Sequence, residues 1–115
     1  MQIIFKNKTV EISFSSKYKK KWKYPKQVAL KLEAAENYIE QAGNLLDIIN
    51  YFPFRWHSLK GARKGEWSIY LGNTGYRVTM IPCDGNGEEI ICGDIISRCK
   101  SIKIVMVTEV SNHYE

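Results

Sequence analysis

No stretch of the chain approaches the roughly 18–20 consecutive apolar residues that a membrane-spanning helix requires. The opening MQIIFKNKTVE also lacks the apolar core and small-residue cleavage site of a secretory leader. P-loop, GxGxxG, HExxH and GxSxG patterns are all absent, which counts against nucleotide-cofactor, metalloprotease and esterase chemistry. Histidine is scarce. His57 and His113 are the only two, too few for a typical metal site without carboxylates at fitting spacing. The three cysteines, Cys83, Cys92 and Cys99, are odd in number and lack the paired spacing of a zinc site. They read as reduced thiols rather than as a disulfide framework. Together these absences predict a cytoplasmic protein with no cofactor, no metal and no membrane partner.

What is present has the proportions of a folded globular protein: 115 residues, 44% apolar and 25% charged, enough for one domain over residues 1–115 with a single modest core. The net charge of +5 is unevenly placed. Residues 1–31 hold nine lysines against Glu11, whereas residues 32–52 hold Glu33, Glu36, Glu40 and Asp47 with no basic group. A second basic block, Arg55, Lys60, Arg63, Lys64 and Arg77 against Glu66, is followed by a C-terminal third in which acidic groups predominate. Such clustering presents a positive face to a polyphosphate while other surfaces stay neutral or acidic. The densest segment runs from Lys17 to Lys26, where six lysines alternate with Tyr18, Trp22 and Tyr24. Lysines neutralise phosphates and aromatic rings stack on unpaired bases, so Lys19, Lys20, Lys21 and Lys23 are candidate RNA contacts. The plainer reading is a solvated helix end anchored by inward aromatics.

Periodicity predicts an α+β fold. Ile3–Phe5 reads as a strand and Val10–Phe14 as a possible second, with Asn7-Lys8 as the turn. Val28, Leu32, Ala35, Ile39 and Ala42 recur at spacings of four and three, one face of a helix that Pro25 opens and Gly43 ends. Glu36 and Glu40 fall largely outside that stripe. Asn44 caps a second helix through Ile49. Downstream, Trp67–Leu71 and Tyr76–Ile81 flank Gly72-Asn73-Thr74-Gly75 as a β-hairpin. Asp84-Gly85-Asn86-Gly87 is another turn, leading into Glu89–Cys92 and then an irregular basic stretch in which Arg98, Lys100 and Lys103 read as a basic loop, before Ile102–Val110 reads as a buried strand. The expected architecture is two N-terminal helices packed on one face of a twisted antiparallel sheet, with the other face free to bind a ligand.

The acid, base and cation candidates gather near the predicted hairpin and the C-terminus: His57, Lys60, Arg63, Lys64, Arg77, His113 and Tyr114. Their chemistry suits RNA, which carries its own nucleophile in the ribose 2′-hydroxyl. Cleavage then needs a base for that proton, cations for the phosphorane charge, and an acid for the leaving 5′-oxygen. Histidine titrates near neutral pH and serves as either acid or base, while Lys and Arg supply fixed charge. Plainer readings stand beside these: His57 packing against Phe54 and Trp56, Arg77 pairing with a carboxylate such as Glu66, Tyr70 and Tyr76 serving as packing residues.

The stretch Arg55-Trp56-His57-Ser58-Leu59-Lys60-Gly61-Ala62-Arg63-Lys64-Gly65-Glu66-Trp67-Ser68-Ile69, followed by Gly75-Tyr76-Arg77-Val78, resembles the HigB toxins of the RelE/ParE superfamily. The opening Ile3–Lys8 and the ending Glu109–Tyr114 resemble the same family, in the same order along the chain. Many relatives end in Asp-Tyr-His, whereas this chain reads Asn112-His113-Tyr114-Glu115, with the two rings exchanged. The resemblance implies a type II toxin that cleaves mRNA without a metal, on translating ribosomes, and that a HigA-type helix-turn-helix antitoxin silences. By this resemblance His57 and Lys60 match family active-site residues, Arg77 the phosphate-stabilising arginine, and the tail the aromatic and histidine pair; the roles expected are His57 or His113 as base or acid, Lys60 and Arg77 as transition-state cations and Tyr114 as a stacking platform, while Arg63 and Lys64, of the second basic block, are candidate RNA contacts. Rival readings are a ParE-like gyrase inhibitor without catalysis, a plain nucleic-acid-binding module, and an inactive toxin relic.

Overall fold

The period-two alternation around Gly72–Gly75 forms the hairpin it predicts. In the computed structural model, which describes residues 1–18, 23–63, 65–90 and 94–112, Trp67–Tyr70 and Tyr76–Cys83 pair antiparallel. Gly72 and Gly75 take φ of 58° and 85°, a left-handed region that side chains with a Cβ avoid. With β1 at Gln2–Phe5 and β2 at His57–Ser58, the hairpin strands are β3 and β4, and β5 runs from Ile104 to Asn112. The sheet order is β1-β5-β4-β3-β2. Strands β2 to β5 are antiparallel neighbours as expected, but β1 pairs parallel to β5, so the sheet is mixed.

The expected helical pair is present as α2, Lys26–Gln41, and α3, Leu45–Ile49. Asn44 caps α3 by accepting from the Leu46 N–H at 3.0 Å. Two further helices correct the expectation of only two, both N-terminal. Lys8–Phe14, expected as a turn residue and a strand, is a helix, α1. Asn7 opens it by accepting from the Val10 N–H at 2.9 Å. Helical rise of about 1.5 Å per residue, against about 3.3 Å for a strand, keeps Phe14 within reach of β1, and its ring lies 6.0 Å from that of Phe5. The fourth helix, Ile95–Arg98, continues as a 3-10 turn through Ser101 where an irregular loop was expected. Asp94 caps it by accepting from Ile96 N and Ser97 N. Ile95, Cys99 and Ile102, buried at spacings of four and three, hold it against the core.

One core joins the layers. Phe14, Val28, Leu32, Ala35, Ile39, Leu45 and Ile48 from helices meet Ile69, Val78, Met80, Val105 and Val107 from the sheet, none more than 3% exposed. Glu36, expected outside the apolar stripe, is only 7% exposed. Its Oε1 accepts from the Ser16 N–H at 2.9 Å, a bond that satisfies the buried carboxylate and ties the end of the first helix to α2. Cys83 and Cys99 are buried free thiols, and Cys92 lies outside the described residues. Burial, reinforced by Glu89 and Asp84, pushes the Cys83 thiol up to about 11. Among the described residues no helix is long and apolar enough to cross a membrane.

If residues 8–14 are helical because Asn7 caps them, Asn7→Ala should lower stability by about 1 kcal/mol, read as a shifted urea midpoint with an unchanged slope. An unchanged midpoint would show that the cap contributes nothing.

Candidate functional site

Strand alternation divides the sheet into two unlike faces. Ile69, Val78, Met80, Val107 and Val110 share the helix-covered face. The cross-strand rows His57–Ser68–Thr79–Glu109 and Tyr70–Arg77–Ser111 occupy the other. Thr79 pairs with Glu109 and Met80 with Val107, so Thr108 is the extra residue of a β-bulge. Beyond the bulge the alternation of β5 changes phase. Val110 returns to the core face, and Glu109 and Ser111 join the polar one.

His57 is held on three sides. Its backbone pairs with Ser68, its ring stacks on Tyr70 with centroids 5.1 Å apart and planes 21° apart, and its Nδ1 lies 2.9 Å from the Arg55 carbonyl oxygen. The preceding Trp56 stacks on Trp67 at 5.1 Å, which anchors β2 from the opposite face. Arg55 has φ 49° and ψ 51°, a left-handed conformation that costs a non-glycine residue about 1 kcal/mol or more. Its guanidinium carbon lies 5.9 Å from the Tyr70 ring centroid, a cation–π contact that offsets part of that strain.

Arg77 sits opposite Tyr70 on one side and Ser111 on the other. Its Nε is buried and has no hydrogen-bond partner among the described residues. A guanidinium N–H withdrawn from water without an acceptor carries an uncompensated desolvation cost, which an incoming anion would relieve. Glu66, the carboxylate named as the alternative partner of Arg77, is engaged elsewhere. Strand spacing of about 4.8 Å puts the His57 and Arg77 backbones roughly 10–12 Å apart across β3, a gap that their side chains and a phosphodiester can fill.

Farther along the same face is a neutralised cluster. Arg63 donates to Glu66 through Nε at 3.2 Å and Nη2 at 3.0 Å, and Nη2 lies 2.7 Å from Glu109 Oε1. The hydroxyl of Thr108, at the bulge, donates to Glu66 Oε1 at 2.9 Å, with the Thr79 carbonyl 3.2 Å away as a competing acceptor. Lys6 joins these residues in lining a polar groove of about 370 Å³. Hydrogen bonding from Arg63, aided by Thr108 and the charge of Lys6, holds the Glu66 carboxyl below its ordinary range although burial opposes it. The same contacts raise Arg63 further above its already high value.

His57 and Arg77 therefore share the polar face, and Lys60 lies exposed on the loop that leaves β2, a loop closed by Leu59 N–H donating to the Glu66 carbonyl at 2.9 Å. Arg63, on that loop, is paired with two carboxylates rather than free. Lys23 donates to Ser13 Oγ at 3.0 Å, away from His57 in sequence and strand position. The adjacent Tyr24 packs edge-on against Tyr76 at 5.6 Å, which docks the end of the lysine block at the rim where β4 starts and β5 ends. Lys19, Lys20, Lys21, Lys64, His113 and Tyr114 lie outside the described residues, although β5 ends at Asn112 opposite Tyr76, one position from Arg77. Two contributors were missed from the sequence. Tyr70, read as packing, is the ring beneath His57, and Arg55 supplies the carbonyl. Strict alternation from Ile69 was the available signal for Tyr70; nothing in the sequence signals the left-handed turn at Arg55. Among the described residues no group of three or more His, Cys, Asp or Glu side chains could hold a metal. Compared with known proteins, the chain matches no family model and no curated protein.

The lowered Glu66 value predicts an acid-sensitive contribution. It is fully present above the unfolded carboxyl value of about 4.3 and disappears as pH falls through the still lower folded value. Glu66→Gln should cost about 1–2 kcal/mol at pH 7, nearer the lower figure because Arg63 is half exposed, and the gap from the parent should close as pH falls through that lowered value. A gap independent of pH would remove the ion pair as its source.

Proposed function

We propose that the protein is a HigB-like toxin of the RelE/ParE type, a metal-independent endoribonuclease that cleaves mRNA on translating ribosomes in the cytoplasm. The observation that carries the reading is the pairing, on one polar sheet face, of an imidazole stacked on Tyr70 with an arginine whose buried Nε has no acceptor among the described residues. A general acid–base group and an anion site on one face are what 2′-hydroxyl attack requires. The order of His57, Lys60, the hairpin and Arg77 along the chain, shared with that family, supports it further. The finer architecture, a helical pair packed on a RelE-like sheet, belongs to the same proposal.

In this mechanism one imidazole takes the 2′-hydroxyl proton as the 2′-oxygen bonds to phosphorus. The phosphorus–5′-oxygen bond then breaks, and an acid returns a proton to the leaving oxygen. The products are a 2′,3′-cyclic phosphate and a 5′-hydroxyl. His57 and His113 divide the base and acid roles, Arg77 and Lys60 stabilise the phosphorane, and Tyr114 stacks on a base. Lys19, Lys20, Lys21, Lys23 and Lys64 attract the RNA backbone without regard to sequence, while Arg63, taken up by Glu66 and Glu109, holds the loop that carries Lys60. A HigA-type helix-turn-helix antitoxin is the proposed silencing partner.

Induction of the protein in bacteria without its neighbouring gene should arrest growth and create new mRNA 5′ ends. Arrest with intact transcripts would sink the nuclease reading and point to gyrase inhibition. Arg77→Ala should lower cleavage roughly 100-fold or more and relieve toxicity with the fold intact by circular dichroism. Undiminished cleavage by that variant would take Arg77 out of the mechanism.

A further inference from the structure

The sharpest backbone irregularity among the described residues adjoins the site without belonging to the set of acids, bases and cations. Arg55 is the only described non-glycine residue with positive φ. It ends the 3-10 turn Phe52–Phe54, its own N–H donating to the Phe52 carbonyl at 3.0 Å. Strain of this kind persists only where the surroundings over-determine it, and it gathers at functional sites. Here the left-handed turn directs the Arg55 carbonyl to His57 Nδ1 at 2.9 Å. A carbonyl oxygen only accepts, so Nδ1 carries the proton. In the neutral ring Nε2 then holds the lone pair, the reverse of the tautomer that free histidine favours in water. Tyr70 completes the clamp. The His57 ring stacks on it at 5.1 Å and the Arg55 guanidinium carbon lies 5.9 Å from its centroid, so one residue fixes the imidazole through its backbone while its side chain binds the ring that fixes the imidazole plane.

We infer that Arg55 is a positioning residue for His57: its strained backbone locks the imidazole as the Nδ1–H tautomer and leaves Nε2 as the one nitrogen able to exchange a proton with substrate. The role of His57 toward RNA rests on the function proposed above; the tautomer does not. A histidine whose Nδ1 is committed to a carbonyl presents a single reactive atom, so base and acid duty both pass through Nε2. Leucine or lysine could supply the same carbonyl only by accepting the same left-handed backbone, whereas proline, with φ fixed near −65°, cannot.

The test is a long-range proton–nitrogen correlation spectrum of the full-length ¹⁵N-labelled protein, recorded at alkaline pH where imidazole rings are neutral and assigned by the signal lost in His57→Gln. The expected pattern is a protonated, pyrrole-type Nδ1 and an unprotonated, pyridine-type Nε2. Arg55→Gly, which adopts the left-handed turn without strain, should keep that pattern and retain RNA cleavage within about tenfold. Arg55→Pro should lose it, the Nε2–H form reappearing, and cleavage should fall more than tenfold while circular dichroism is unchanged. An Nε2–H pattern in the parent protein overturns the inference whatever the variants do, and so does an unchanged pattern in Arg55→Pro. Because the spectrum needs no RNA, an Nδ1–H pattern in a protein that cleaves no transcript overturns the nuclease reading alone. The Nε2–H pattern in a protein that does cleave overturns the positioning role alone.

Discussion

The arrangement of the site depends on one inserted residue. Without Thr108 as a bulge, the alternation that buries Val105 and Val107 would carry Glu109 and Ser111 into the core and turn Val110 outward. A single-residue change of phase moves every later side chain of a strand to the other face, and the fold uses it to set Glu109 beside Thr79 and Ser111 beside Arg77. The bulge is itself secured. The Thr108 hydroxyl reaches Glu66 Oε1 at 2.9 Å, and Glu66 holds Arg63 from the loop that carries Lys60. Strand β5, the end of the β2–β3 loop and the start of β3 are thereby joined by one hydrogen-bonded ion cluster.

That cluster also sorts the cations of the face by availability. Arg63 is surrounded by Glu66 and Glu109 and serves structure. Arg77, two residues along β4 from Thr79, lies opposite Tyr70 and Ser111, and its Nε has no partner among the described residues. Equal formal charges thus differ in what they offer a phosphate: one is compensated within the fold, the other gains from an external anion. His57 shows the complementary economy, its Nδ1 lying 2.9 Å from a backbone carbonyl supplied two residues earlier in the chain.

Much of this was legible in the order of residues. The helical stripe from Val28 to Ile39, the Asn44 cap and the hairpin around Gly72–Gly75 follow from spacing and turn chemistry, because each is a local property of the chain. His57 and Arg77 stood out by residue type, but that they share one sheet face did not, because it depends on the register of β2 and β4 on β3. The helix over Lys8–Phe14 was not legible either. Val10 and Ile12 favour strands by themselves, and Phe14 overrode them only because a core pocket beside Phe5 exists to receive it. Ile95–Arg98 was hidden for a similar reason, its inward residues being too few to show a period.

The sequence by itself determined an α+β chain with two segregated basic blocks, a capped helical pair, a glycine-turned hairpin and a scarce set of titrating groups, since these depend on neighbours within a few positions. Only the tertiary structure decided that β1 lies parallel to β5, that Arg63 rather than Arg77 claims Glu66, that Tyr70 lies under His57, and that Arg55 turns left-handed to meet its nitrogen. Each of those joins groups that share no local pattern, and the choice among possible partners is made by burial, register and hydrogen-bond geometry once the core has closed.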